Sequence, residues 1–322
     1  MDYRPLGNTG LKVSSLSFGA SSLGSVFRDI DEGEGIRTVH RAFELGINYF
    51  DVSPYYGKTK AETVLGRAIA ELPRDQFLLS TKAGRIAENE FDYSAEHIAA
   101  SVEASLQRLG TDYVDMLFLH DMEFVPFDQV IGEAIPALQR LKREGKARYI
   151  GVSGLPLRIF ERTLAESELD VILTYCHYSL NDTSLLELLP LLKERGVGVV
   201  NASPISMGLL NTRPLPDWHP APEEVRERCK LAAKHCEAKG ENLARLAIQF
   251  STSNPDVPTT LVSTASRENI ENNIRWSGEP VNGELLEEVL DMLKPVQNVS
   301  WESGRAEYNH DVAAASQKGG SR

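Results

Sequence analysis

The chain has little cysteine, no long apolar run and a shortage of basic charge, and each scarcity removes a class of protein. Three cysteines among 322 residues, Cys176, Cys229 and Cys236, are too few for a disulfide framework and lack the paired C-x-x-C spacing of a zinc site. His177 beside Cys176 has no further ligands in sequence, so no metal is expected. Free thiols suit a reducing compartment, which points to the cytoplasm. No apolar stretch approaches the ~18 residues of a membrane span. The amino terminus, Met1-Asp2-Tyr3-Arg4-Pro5, shows no basic segment leading into an apolar one, so no secretory signal is read there. Lys and Arg number 34 against 46 Asp and Glu, a net charge of −12. That balance argues against a nucleic-acid backbone or an anionic membrane surface as partner. G-x-G-x-x-G is also absent, which argues against a doubly wound dinucleotide fold.

What is present is a rhythm. Arg4-Pro5-Leu6 and Leu11-Lys12-Val13 flank the turn formers Gly7-Asn8-Thr9-Gly10 and predict a short hairpin. Eight short apolar runs follow, at 16–19, 49–51, 77–82, 116–120, 149–153, 171–175, 197–202 and 260–263. Helical patterns separate them at 33–45, 61–71, 95–109, 128–144, 156–167, 183–194 and 240–252, with another at 266–275 after the last run. Eight strand-then-helix repeats are the count of a (β/α)8 TIM barrel, an α/β fold. A Pro-rich loop at about 211–223, an added helix at 224–237, an extra C-terminal helix at 283–293 and an irregular tail complete the chain. Residues 1–312 therefore read as a single barrel domain, and 313–322, small and polar, as a disordered tail.

In such a barrel the site forms at the C-terminal ends of the strands. The second run ends in Asp51, with Tyr56 in the loop beyond; the third ends in Lys82 and the fourth in His120. One charged residue at a strand end usually marks only where the strand surfaces, but three neighbouring ends beside a tyrosine form a chemical group. A phenol of ordinary pKa, about 10, is a poor acid or base at neutral pH. An adjacent ammonium favours its ionised form, and an aspartate holds that ammonium in place. Tyr56 could then exchange a proton with a carbonyl or alcohol oxygen that a neutral His120 orients. No serine or cysteine nucleophile lies beside a base, so hydride transfer fits better than acyl transfer or glycoside hydrolysis.

The motif Phe50-Asp51-Val52-Ser53-Pro54-Tyr55-Tyr56-Gly57, followed by Glu62 and Leu65-Gly66, resembles the signature of the aldo-keto reductases. Thr81-Lys82, Asp112-Tyr113-Val114-Asp115 before His120, Ile150-Gly151-Val152-Ser153 and Ser203-Pro204 with Gly208-Leu209-Leu210 fall in the same order. The resemblance spans about residues 3–300 and implies a nicotinamide cofactor without a Rossmann fold, with Asp51, Tyr56, Lys82 and His120 as catalytic residues and Tyr56 as the acid/base. It implies cofactor contacts from Ser153, Tyr175, Ser203, Pro204, Ser206, Gly208, Leu209, Ser263, Asn269 and Asn273. Three positions depart from the family pattern: Gly154 replaces an asparagine, Tyr175 a glutamine and Ala202 a tyrosine. Members that use NADP carry a lysine and an arginine where this chain has the uncharged Ser263 and Asn269, so the expected cofactor is NAD.

Within the family the likeness runs to members that oxidise a sugar at its anomeric carbon, and it implies NAD-dependent conversion of L-galactose to its lactone. Tyr56, His120, Asp121, Glu123, Tyr178 and Trp301 are the expected substrate residues. Oxidation of L-fucose or D-arabinose, general aldehyde reduction, and a nicotinamide-binding regulatory subunit remain alternatives. The expected assembly is a monomer or weak homodimer.

Overall fold

The computed structural model describes residues 1–26 and 28–309; the segment 313–322, expected to be disordered, lies outside them. Eight strands, β1 Leu16–Gly19, β2 Tyr49–Asp51, β3 Leu78–Ala83, β4 Val114–Leu119, β5 Ala147–Gly154, β6 Val171–Tyr175, β7 Gly198–Ala202 and β8 Thr259–Ser263, close into one barrel in chain order. Neighbours are parallel throughout, and β8 returns to pair with β1, Thr260 opposite Leu16. The eight expected strands are all there. Strands covered on both faces read as continuous apolar runs, which is why they were legible.

Among the described residues ten helices of eight or more residues surround or flank the barrel: α1 Glu32–Glu44, α2 Lys60–Ile69, α3 Ala95–Leu109, α4 Ile135–Arg143, α5 Arg158–Glu166, α6 Leu185–Arg195, α7 Glu223–Ala238, α8 Leu243–Ser253, α9 Arg267–Gly278 and α10 Gly283–Leu293. Their ends follow local chemistry. Asp31 caps α1 by accepting the Glu34 N–H at 2.7 Å, and Ser94 caps α3 while Gly110, at φ 65°, closes it. The single helix expected over 128–144 is present as one unbroken helical run, 127–143, whose winding changes along it. A turn at Phe127–Gln129 and a wide π turn at Val130–Ala134 precede α4. The cause is Pro136 in the first turn of α4, which has no N–H to give and crowds the carbonyl four residues back.

The amino-terminal hairpin pairs Tyr3–Pro5 with Lys12–Ser14 and plugs the mouth of the barrel opposite the rim where the strands end. Leu6 and Val13, both at 0% exposure, join Tyr49, Met116, Phe118 and Val200 in the interior cluster. At the other mouth the loops carry the polar groups. One packing contact there is backbone on backbone. Gly57 has φ +63°, and a Cβ added to it would lie 1.9 Å from the Gly24 carbonyl oxygen. Gly57→Ala is therefore expected to cost about 2 kcal/mol and to displace the neighbouring Tyr56. A lowered denaturant midpoint together with a fall in kcat would show both effects.

Candidate functional site

Asp51 ends β2 and Lys82 lies one residue from the end of β3, and the pairing of these strands brings them together. Lys82 Nζ donates to Asp51 Oδ2 at 2.5 Å and to the Val52 carbonyl at 3.0 Å. The other Asp51 oxygen accepts from Ser80 Oγ at 2.6 Å, and Ser80 Oγ meets Tyr49 Oη at 2.9 Å. Both charged side chains are almost fully buried, at 1% and 5% exposure. Burial favours a neutral amine, but Asp51 and the Tyr56 phenol outweigh it and hold the Lys82 ammonium above its ordinary pKa.

Tyr56 sits over this pair, its ring centroid 5.0 Å from Lys82 Nζ. Burial pushes the phenol up, Lys82 pulls it back, and Asp51 and Asp121 push it up again. The net shift is upward, so Tyr56 carries its proton at neutral pH with a cation beside it ready to hold the anion.

His120 follows β4 and meets Tyr56 edge to face, with centroids 5.5 Å apart and planes at 86°. Burial, then Lys82 and Arg85, hold its pKa well below the ordinary value, so the ring is neutral. Its tautomer follows from its partner. Ser53 Oγ lies 2.8 Å from Nδ1 and already accepts the Tyr55 N–H at 3.2 Å. The Ser53 hydroxyl proton is free to donate to Nδ1, an arrangement that puts the ring proton on Nε2, the nitrogen nearer Asp121. Ser53 and Ser80 are supporting residues that residue-type reasoning did not single out, although Ser53 lies inside the signature motif. Beneath them the buried Glu62 takes Thr81 Oγ1 at 2.6 Å and Arg108 Nε at 2.7 Å, tying α2 and α3 to β3.

The remaining expected residues divide. Asp121 stands beside His120, with Oδ2 at 3.7 Å from Nε2, and forms an ion pair with Arg85. Arg85 comes from a small hairpin, Arg85–Ala87 with Glu90–Phe91, that the sequence reading missed. Tyr175 ends β6 in the same electrostatic neighbourhood: burial, then Asp121 and Glu123, push its phenol well up, and Arg85 opposes them. Trp301 is partly buried and meets His219 edge to face at 5.5 Å, which joins the tail to the Pro-rich loop.

Two expected substrate residues are not brought to this group. Tyr178 turns away, stacking on Phe250 of α8 at 5.3 Å. Glu123 is wholly buried. Its Oε1 accepts from Leu155 N at 3.1 Å and Ser303 Oγ at 3.0 Å, and its carbonyl accepts the Arg305 N–H at 2.8 Å. Burial, then the nearby Asp121, raise its carboxyl to about 8, so it is a neutral acid that anchors the tail. Gly154 explains why it fits: a Cβ there would lie 2.5 Å from Glu123 Oε2 and 2.2 Å from Ile159 Cδ1. The departure to glycine at 154 and the buried Glu123 are two halves of one packing solution.

Beyond the ends of β7 and β8 lie the residues expected to hold a dinucleotide. Ser203, Ser206 and Met207 have φ of 58°, 47° and 55°, a turn that aims backbone groups in directions a strand end does not. Ser206 Oγ is committed to Asn181 Oδ1 at 2.6 Å and Ser179 Oγ at 2.9 Å, and Ser153 Oγ donates to the Leu119 carbonyl at 3.1 Å. Pro204 and Leu209 are buried, whereas Gly208 is half-buried. Ser263 is exposed at the end of β8, its hydroxyl near Ser21 and Ser22. Asn269 and Asn273 lie, half-buried, in the first two turns of α9. There the Glu34 carboxylate accepts the Arg267 N–H at 3.1 Å. The Arg267 side chain is itself turned to Glu271 at 3.1 Å. Among the described residues no three His, Cys, Asp or Glu side chains could hold a metal, and no helix is long and apolar enough to cross a membrane.

Comparison with known proteins extends these observations. Residues 15–290 match the model of the aldo/keto reductase family. The chain is 48% identical over 313 residues to an L-galactose dehydrogenase of Arabidopsis thaliana, covering 94% of this chain and 98% of that one. It is 37% identical over 257 residues to a D-arabinose 1-dehydrogenase of Saccharomyces cerevisiae, covering 75% and 76%. Among solved structures it superposes on a holo-form aldo-keto reductase from Bacillus halodurans with a TM-score of 0.78 and 30% identity, over 95% of this chain and 99% of that one.

Proposed function

This chain belongs to the aldo/keto reductase family, and from that premise we propose that it is an NAD-dependent dehydrogenase that oxidises L-galactose at C1 to its lactone. The observation that carries the chemistry is the buried Lys82–Asp51 pair beneath Tyr56, with a neutral His120 against the same phenol. The chemistry a nicotinamide supplies when bound is acceptance of the hydride from C1. The rest falls to the chain. Once its own proton has left to solvent, the Tyr56 phenolate, stabilised by the Lys82 ammonium, takes the proton of the C1 hydroxyl and returns to the phenol, while His120 Nε2–H donates to the same oxygen. Loss of one hydride and one proton from a cyclic hemiacetal leaves a C1 carbonyl closed by the ring oxygen, a lactone. The choice of L-galactose is supported by the relative of that name, matched over nearly the whole of both chains.

The residues present fit NAD. Ser203, Ser263, Asn269 and Asn273 offer neutral polar groups, and Arg267 is paired with Glu271 rather than free for a 2′-phosphate. The Glu34 carboxylate accepts the Arg267 N–H at 3.1 Å and pairs with Arg37 at 3.1 Å; from that place at the first turn of α9 it would accept from ribose hydroxyls and repel a phosphate in their place. Glu34→Gln is expected to narrow the preference for NAD over NADP by about 30-fold, the equivalent of about 2 kcal/mol for one charge-assisted bond. Fluorescence titration of both dinucleotides would measure it; unchanged affinities would remove Glu34 from the cofactor site.

The direct test is reduced-nicotinamide formation with L-galactose, L-fucose and D-arabinose, each with NAD and with NADP. Preference for L-galactose with NAD is the expected result. Equal turnover of D-arabinose would widen the substrate class, and reduction of simple aldehydes with no sugar oxidised would overturn the reading.

A further inference from the structure

The Asp121–Arg85 pair is built more carefully than a surface ion pair requires. Asp121 has φ 57°, a left-handed conformation that a non-glycine residue adopts at a cost. Its N–H donates to Ser153 Oγ at 3.2 Å, which fixes the turn that carries it. Arg85 is the one hydrogen-bond partner of its carboxylate among the described residues. The guanidinium lies 4.0 Å from the centroid of Tyr55 and 5.4 Å and 5.7 Å from those of Phe91 and Phe124, while Nη2 donates to Tyr55 Oη at 3.2 Å. Three aromatic rings and the Tyr55 hydroxyl thus hold the arginine, and the arginine holds the aspartate. Neither side chain is free to swing, at 15% and 6% exposure.

We propose that Asp121, steadied by Arg85, accepts a hydrogen bond from the hydroxyl on the carbon next to the one oxidised, so that the site selects 2-hydroxy aldoses. The inference rests on the dehydrogenase reading and adds the sugar position that is read. Its carrier is a distance. In the proposed reaction His120 Nε2 bonds the C1 oxygen, and Asp121 Oδ2 lies 3.7 Å from that nitrogen. The oxygens on adjacent sugar carbons lie close enough together for one to meet Nε2 while the other donates to the carboxylate. Oδ2 is shared with Arg85, which leaves the second oxygen for the sugar. A carboxylate is an acceptor only, so it demands a hydroxyl there and leaves a desolvated charge when the hydroxyl is missing. Burial lifts the Asp121 carboxyl above its ordinary value and Arg85 opposes that rise, so the arginine favours the ionised acceptor. Asp121 is the substrate contact, and Arg85 is a positioning residue that acts through it.

The test compares kcat/KM for L-galactose and 2-deoxy-L-galactose with NAD in the wild-type protein, in Asp121→Ala, in Asp121→Asn and in Arg85→Gln. The wild type is expected to prefer the 2-hydroxy sugar by about 100-fold. The ratio should fall to near one in Asp121→Ala and to intermediate values in Asp121→Asn and Arg85→Gln. Circular dichroism and NAD affinity of each variant serve as the check that the fold and the cofactor site persist. The affinity for the lactone product, read by calorimetry on the NAD-loaded protein, should fall in Asp121→Ala in parallel with the ratio. A wild type that uses both sugars equally, or an Asp121→Ala protein that keeps the ratio, overturns the inference while leaving the dehydrogenase standing. A folded, NAD-binding wild type that oxidises no aldose overturns the dehydrogenase reading and this inference with it.

Discussion

Tyr56→Phe is expected to abolish sugar oxidation, by on the order of 10³-fold or more in kcat, while NAD binding stays within about twofold. The substitution removes one oxygen and nothing else. The phenol ring keeps its edge contact with His120 and its place over Lys82, so the group around it has no reason to move. What is lost is the one proton acceptor positioned at the C1 hydroxyl. His120 cannot replace it, because Ser53 engages Nδ1 and burial, with Lys82 and Arg85, holds the ring's basicity well down. Lys82 cannot replace it either, because its pair with Asp51 holds it protonated. Stopped-flow measurement of the first turnover would separate this loss from any change in product release. Turnover within tenfold of the wild type would move the acid/base role elsewhere. Because burial raises the Tyr56 pKa above its ordinary value, oxidation by the wild type should also speed up as pH rises through the range below that pKa. Reduction of the lactone or an aldehyde should slow over the same range, since it consumes the proton that the phenol supplies.

How much of this was legible before the fold was known follows from what each residue depends on. Asp51, Lys82 and His120 terminate apolar runs, and a parallel barrel places all strand ends on one rim, so their convergence needed only a strand count. Ser53 travelled with the motif around Tyr56. Arg85 could not be found that way. It lies in a short hairpin with no apolar alternation, and its partners Tyr55, Phe91, Phe124 and Asp121 come from three different loops. Glu123 reads as a rim residue facing the substrate, because nothing local shows that Ser303 and Arg305 will fold over it. Tyr178 stands only three residues beyond β6, yet its ring is drawn to Phe250 on α8, a contact of 72 residues' separation (250 − 178) that no local pattern encodes. Strand ends were readable because their position is set by the repeat; loop residues were not, because theirs is set by contacts the repeat does not determine.

The second large effect concerns stability as well as rate. Lys82→Met should lower turnover to the level of Tyr56→Phe and destabilise the protein by about 3–5 kcal/mol, because it strands the Asp51 carboxylate at 5% side-chain exposure without its cation. The pair itself does not confer that much. Desolvating two charges offsets most of their attraction, so the penalty comes from breaking the pair rather than from lacking it. The double variant Lys82→Met with Asp51→Asn should therefore recover most of the lost stability, since Ser80 can still bond the amide, while recovering none of the activity. Denaturant unfolding of the wild type, both single variants and the double variant would give the coupling directly. A double variant as unstable as the single one would mean that the buried carboxylate is satisfied without the lysine. The pH dependence carries the same signature. Lys82 has a folded pKa above its ordinary 10.5, so the stabilisation from its charge is complete below that ordinary value and is lost only as pH climbs through the raised one. Across the neutral range the wild type should show no titration of this term. The site thus holds a fixed charge under Tyr56 wherever the enzyme works, and the proton that moves belongs to the phenol.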